Sequence, residues 1–295
     1  MKSISSLAAI SGRIIVLLAA AMVLHGCSAI KLGYNNVQSV GYWWLDGYFD
    51  FNDAQAVRLK ADMDQFHQWH RSSELPEYAQ LLQRAQGLVA NGDVTAPQAC
   101  ALVEEARKQI DDITARAEPT LVDIAMTFTP AQIEHLEAKY AKNNADYRKD
   151  WLRLSPQEVR KKRYEKTLER TEMIYGRLDE PQRALVRQQV EASSFDPHVS
   201  NVERLRRQQD TLQTLRMITT AGTTREQALQ AMHGLLERYK HSPQPQYRAY
   251  VRKQWDEGCE GFALAHNAAT PAQRETAVKR LKGYERDFME LASQR

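Results

Sequence analysis

The chain of 295 residues is short of glycine and proline, with 13 and 10, and nowhere alternates Val, Ile and Thr with polar residues for long. Strands and their hairpins are made from those features, so their scarcity leaves helix as the default. Charge of one sign is lacking as well, since 40 Lys and Arg face 37 Asp and Glu. Phosphate recognition normally leaves a clear basic excess, so nucleic acid is not an expected partner. There is no Ser or Cys in a Gly-flanked elbow, no Gly-rich phosphate loop and no His-Glu-x-x-His helix. With those motifs missing, no enzymatic activity and no cofactor are expected. The carboxylate pairs Glu104 with Glu105 and Asp111 with Asp112 are adjacent in sequence and diverge around a helix. His67 and His70 have a spacing that two metal ligands can share, yet only Asp64 and Glu74 lie near them, and no metal site is expected.

What is present begins at the N-terminus. Residues 1–26 carry Lys2 and Arg13, no acid, and an apolar run from Ile14 to Leu24, the layout of a secretory signal peptide. The run is too short for a membrane-spanning helix, which needs roughly 20 apolar residues. Leu24-His25-Gly26-Cys27-Ser28 resembles the lipobox of bacterial lipoproteins, with Leu24 and Gly26 as the peptidase recognition positions and Cys27 as the acylated residue. His25 departs from the small or aliphatic residue usual there. The resemblance implies a diacylglyceryl thioether and an amide-linked acyl chain on Cys27. One acyl chain binds membranes marginally, and three make release negligible. Ser28 stands where an Asp would resemble an inner-membrane retention signal, which implies the periplasmic face of the outer membrane. Residues 27–51 then form a lipidated, aromatic-rich segment and residues 52–295 a helical domain, at a net charge of about +1 once the two leader cations are removed. The basic run Arg160-Lys161-Lys162-Arg163 lies among glutamates and reads as a solvated face. Cys100 and Cys259 remain, and in an oxidising compartment they could pair, although sequence does not supply the geometry.

The domain's punctuation is a capping residue followed three places later by Gln or Glu. It recurs at Asn52 with Gln55, Thr95 with Gln98, Thr129 with Gln132, Ser155 with Glu158, Asp179 with Gln182, Thr224 with Gln227 and Thr270 with Gln273. In this capping box the cap side chain accepts from the third residue's backbone while the Gln or Glu reaches back to the cap's N–H. Seven starts predict an all-α bundle of at least seven helices. Apolar residues follow at helical spacing, as in Ile133, Leu136, Tyr140, Tyr147 and Trp151, in Tyr164, Leu168, Tyr175 and Leu178, and in Ala277, Leu281, Tyr284, Phe288 and Leu291.

The caps also recur as a set. Gln55, Gln98 and Gln132 are answered by Gln182, Gln227 and Gln273 at offsets of 127, 129 and 141 residues. The expectation is a tandem duplication, residues 50–152 and 178–292, bridged by the helix after Ser155, with any concave surface between the halves the first place to seek a ligand.

Two further resemblances carry functional expectations. The lipobox with Lys31-Leu32-Gly33-Tyr34-Asn35, Trp44-Leu45-Asp46-Gly47-Tyr48-Phe49-Asp50-Phe51 and Trp69-His70-Arg71 resembles an uncharacterised proteobacterial lipoprotein family, a domain of unknown function. Phe128-Thr129-Pro130-Ala131-Gln132 and Ala269-Thr270-Pro271-Ala272-Gln273 are similar to the Leu-Thr-x-x-Gln motif of the Spy-like periplasmic chaperones, with Phe128 and Ala269 replacing its Leu. The expected activity is non-catalytic binding, as an envelope scaffold or adaptor with a protein partner. The alternative is an ATP-independent chaperone holding unfolded clients. Tyr42, Trp43, Trp44, Tyr48, Phe49 and Phe51 follow Cys27 closely and either rest the domain on its membrane or seal the first helix cap against the core.

Overall fold

A computed structural model describes residues 25–294 of the chain. Leu24 and nearly all of the proposed signal peptide lie outside the described residues. Among the described residues there are twelve α-helices and no strand: α1 (His25–Asn35), α2 (Val37–Phe49), α3 (Asp53–Trp69), α4 (Leu75–Ala90), α5 (Ala96–Ala125), α6 (Pro130–Tyr147), α7 (Pro156–Tyr175), α8 (Glu180–Ala192), α9 (Pro197–Ile218), α10 (Arg225–Lys240), α11 (Pro245–Asn267) and α12 (Pro271–Ser293). None of them is long and apolar enough to cross a membrane.

All seven capping boxes form, both hydrogen bonds of each being present. The five further helices begin without that signature. A wide π-helical turn over His70–Glu74 joins α3 to α4, and there Pro76 has no N–H to return to the preceding turn. Asp196 caps α9 through the neighbouring His198 N–H, and α11 starts at Pro245 with no side-chain cap.

Four of the seven boxes interlock in pairs. Gln55 Nε2 donates to Gln132 Oε1 at 3.2 Å and Gln132 Nε2 donates to Gln55 Oε1 at 2.7 Å, a reciprocal amide pair inside the fold. The second hydrogen of each Nε2 goes to the loop that precedes the other's cap: Gln55 to the Thr127 carbonyl at 2.9 Å, Gln132 to the Asp50 carbonyl at 3.0 Å. Each Oε1 also accepts its own cap's N–H, from Asn52 and from Thr129. Every donor and acceptor of both amides is used. Gln182 and Gln273 repeat the arrangement at 2.7 and 3.0 Å, with Gln182 donating to the Ala268 carbonyl and Gln273 to the Arg177 carbonyl. Thr127 and Ala268 differ by 141 residues and Asp50 and Arg177 by 127, the same offsets that separate the glutamines.

Helix packing repeats in the same sense. α2 lies on α3 and α6, as α7 lies on α8 and α12; α5 lies on α3, as α11 lies on α8. The helix after Ser155, read from sequence as a bridge, thus occupies beside α8 the place that α2 occupies beside α3. Each half also reaches into the other, α12 packing on α4 and α6 on α9, with α5 against α10 and α11. The largest core joins Leu59, Val122, Ile133 and Leu136 to Leu212, Leu215, Ile218, Met232 and Leu235, so the halves share one interior. A disulfide ties Cys100 on α5 to Cys259 on α11, with Cα atoms 5.4 Å apart across 159 residues.

Two stability tests follow from these contacts. Gln132→Glu keeps the capping acceptor but replaces the donating amide by a second oxygen facing Gln55 and two carbonyls. A loss of about 2–4 kcal/mol is expected in urea unfolding, while Gln98→Glu, exposed and unpaired with another box, stays within about 0.5 kcal/mol. Reducing Cys100–Cys259 releases a long closed loop and is expected to cost about 2–5 kcal/mol, read as a lower urea midpoint in dithiothreitol.

Candidate functional site: an apolar pocket beneath the N-terminal helices

α1 and α2 meet at Asn36 and lie across the first half of the molecule. α1 is held by Lys31, which pairs with Glu290 and reaches the fully buried Asp287 at 3.5 Å. Tyr34, three residues on, stacks on His67 with ring centroids 4.6 Å apart. α2 is amphipathic in two directions. Tyr42, Leu45, Tyr48 and Phe49 pack on the main core, whereas Val40, Trp43 and Trp44 turn outward, the tryptophans 74% and 55% exposed. The aromatic cluster therefore divides. Tyr48 accepts from Asn143 Nδ2 at 2.8 Å and Phe49 stacks on Phe128 at 4.8 Å, so those two serve the core. Trp43, Trp44, Val40 and Leu32 form the outward face.

Beneath α2 is a cavity of about 330 Å³ between α2, α3 and α5. Val37, Gly41 and Leu45 form one wall, Leu59, Met63 and Phe66 the second, and Ala117, Thr120 and Leu121 the third, with Tyr34, His67 and His70 closing one end. Gly41 lets the first two walls approach, since a Cβ there would stand 3.1 Å from the Met63 methyl. Pro119 interrupts the hydrogen bonding of α5 beside the third wall. His70 is fully engaged, its Nδ1 2.9 Å from the Tyr34 hydroxyl and its Nε2 3.2 Å from that of Tyr78. His67, only 8% exposed, has no hydrogen-bond partner at Nε2. Burial holds both imidazoles below the ordinary histidine value, and His67 is lowered further by Arg71. The same burial pushes the Tyr34 and Tyr78 hydroxyls up to about 12. At neutral pH the pocket thus presents neutral rings and hydroxyls in an otherwise hydrocarbon lining. Among the described residues no cluster of three or more His, Cys, Asp or Glu is placed to hold a metal ion.

The second half has a cavity at the equivalent place, about 400 Å³ between α7, α8 and α11. Asp62, Met63 and Phe66 correspond at 127 residues to Gln189, Val190 and Ser193, and Ala117, Thr120 and Leu121 at 141 residues to Gly258, Gly261 and Phe262. All twelve line their respective cavities. The second lining is polar and internally satisfied. Ser193 Oγ and the Ser194 N–H donate to Glu257, and Gln189 Nε2 donates to the Gly261 carbonyl.

Between the halves lies a cleft of about 460 Å³, bordered by Tyr140, Tyr239, Arg204 and Arg207. Its cations are taken: Arg207 donates to Glu203 and to the Tyr239 carbonyl, and Arg204 covers the Tyr147 ring.

Comparison with known proteins matches residues 47–248 to the family model DUF6279, described as a family of unknown function. The chain belongs to this family. No curated protein and no solved structure matches it. The DUF6279 match takes in the whole of the first amide pair, Gln182 of the second, His67, His70 and the α3 and α5 walls of the apolar cavity. Trp43, Trp44, Cys259 and Gln273 fall outside the matched DUF6279 residues.

Of the residues singled out in the sequence, Gly26, Cys27 and Ser28 fall in the first turn of α1. His67 and His70 are brought together not around an ion but at the end of an apolar cavity. Tyr34, Met63, Ala117 and Leu121 carried no sequence signal beyond helical periodicity, because what unites them is the meeting of three helices distant in the chain.

The buried histidines fix a pH dependence. His67, His70 and the fully buried His266, which bridges Tyr175 and the Gly92 carbonyl, all lie below the ordinary value because burial disfavours the cation. The unfolded chain then binds protons that the folded chain refuses. Stability is complete above the unfolded histidine value of about 6.5 and is lost as pH falls below it. Thermal unfolding is expected to shift down between about pH 7 and pH 5, and His266→Gln should flatten that slope; an unchanged slope in the variant would remove His266 from the account.

Proposed function

We propose that this protein is a lipid-anchored envelope protein, held through Cys27 at the periplasmic face of the outer membrane, that acts by non-catalytic binding as a scaffold or adaptor. The observation that carries the reading is the outward face of Leu32, Val40, Trp43 and Trp44, on the two helices that directly follow Cys27. Soluble surfaces scatter single apolar residues, but tryptophans grouped beside an anchor suit the headgroup layer, where the ring meets lipid and the indole N–H meets water. The Cys100–Cys259 disulfide supports an oxidising compartment, independently of the lipobox. Protein partners would then meet the far side of the molecule, with the anchor setting orientation.

The chaperone alternative rests on the Thr129-to-Gln132 and Thr270-to-Gln273 segments. Their glutamines are consumed in the buried amide pairs, so they offer clients nothing, and the exposed face of α2 is what remains to support that reading.

Cys27→Ala is expected to leave an unprocessed precursor without incorporated lipid; normal maturation of that variant would refute the anchor. In the acylated protein, Trp43→Ser with Trp44→Ser should remove the blue shift of tryptophan emission on vesicle reconstitution while lipid attachment persists. Suppression of aggregation of unrelated unfolded proteins at substoichiometric amounts would favour the chaperone over the scaffold.

A further inference from the structure

We propose that the apolar cavity between α2, α3 and α5 binds a free long-chain fatty acid, its alkyl chain along the hydrocarbon walls and its carboxyl group on His67 Nε2. The volume of about 330 Å³ lies near the lower end of the range for small-molecule sites, about 300–1,000 Å³, which suits one alkyl chain rather than a two-chain lipid. The wall residues Leu45, Met63, Phe66 and Leu121 offer no hydrogen bond from their side chains. A peptide segment would bring several amide groups into that lining without partners, at the cost of an unsatisfied polar group for each.

His67 supplies the second observation. It is more than nine-tenths buried, it lines the cavity, and its Nε2 has no partner. A buried polar atom left unpaired is expensive, and a pure hydrocarbon occupant would leave it so. A monocarboxylic acid has one polar end and one apolar tail, matching one orphan nitrogen and three apolar walls. Either protonation state of the acid is accommodated: a carboxylate accepts from Nε2–H, and a protonated acid donates to the bare nitrogen of the other tautomer. The equivalent cavity of the second half shows the same frame without this chemistry. There Ser193 and Gly261 replace Phe66 and Thr120, and Ser193, Glu257 and Gln189 satisfy one another or the backbone. The apolar member is also the one beside the outward face of Val40, Trp43 and Trp44, from which a lipid surface would supply single-chain amphiphiles. The inference does not require acylation of Cys27.

The test uses palmitic acid carrying carbon-13 in the carboxyl group, added to the purified protein in detergent micelles and followed by NMR. One equivalent is expected to give a carboxyl resonance separate from the micellar one. Ala117→Phe, which fills the cavity from α5, should abolish it, and Thr171→Phe in the second cavity should not. Leu121→Trp, at the partly exposed edge, serves if Ala117→Phe loses helicity by circular dichroism. His67→Phe keeps the ring volume and should shift the resonance and weaken binding about tenfold. No separate resonance, or one that persists in both filled variants, would overturn the proposal. A resonance that appears only after Cys27→Ala would assign the cavity to the chain's own acyl group and would equally overturn it.

Discussion

The buried pairing of Gln55 with Gln132, and of Gln182 with Gln273, is the constraint from which the rest of the architecture follows. A capping box alone fixes one helix start. Here the amide that closes the box also donates to a second glutamine and to the loop before that glutamine's own cap. Three helix ends therefore meet at each pair: the end of α2 at Asp50, the start of α3 at Gln55 and the end of α5 at Thr127, with α6 starting alongside. The helices that wall the apolar cavity all run outward from this one point. Their separation is set by hydrogen-bond geometry, which is directional, and the hydrophobic contacts beyond are free to vary within it. Glutamine suits the position because its side chain carries both donors and acceptors; a glutamate can close a box, as at Ser155 with Glu158, but has no hydrogen to give.

Much of this fold was readable in the residues before any coordinates. The cap signature depends on two side chains three residues apart, a relation wholly local to the chain, and all seven sites form helices. The offsets of the glutamines are legible too, since position in sequence is all they need. What sequence could not say is which box pairs with which. Gln98 and Gln227 carry the same signature and stay exposed, while Gln55 and Gln132 are buried against each other, a difference made by packing of segments 77 residues apart. The starts of α2, α9 and α11 lacked the box and were invisible for that reason. The aromatic run from Tyr42 to Phe51 reads as one cluster, and only the helical turn of α2 divides it into Tyr42, Tyr48, Phe49 and Phe51 inward and Trp43 and Trp44 outward.

The cavity lay further from view. His67 and His70 drew notice as a pair by spacing alone, which suggests shared chemistry at a metal. Folding gives them different work. His70 spans Tyr34 and Tyr78 in a closed chain of hydrogen bonds, and His67 ends in an apolar space with one nitrogen idle. A spacing rule reports that two side chains share a helix face and is silent on what the facing helices bring.

The equivalent cavities of the two halves turn this contrast into an argument about selection of side chains. The amide pairs hold both frames alike, so each lining position has a counterpart under the same geometric demand. Protein interiors pack to high density, and an apolar hole is destabilising because its walls lose contacts that neither water nor neighbours replace. The second half avoids that cost with polar groups that pair with one another and tolerate water, as Ser193 does with Glu257. Larger side chains at Gly41 or Ala117 would remove it in the first half. The first half instead keeps Phe66, Met63 and Leu121 around an open volume, with an unpaired imidazole at its end. A frame that could be filled or made polar, and is neither, is best accounted for by an occupant that supplies the missing contacts.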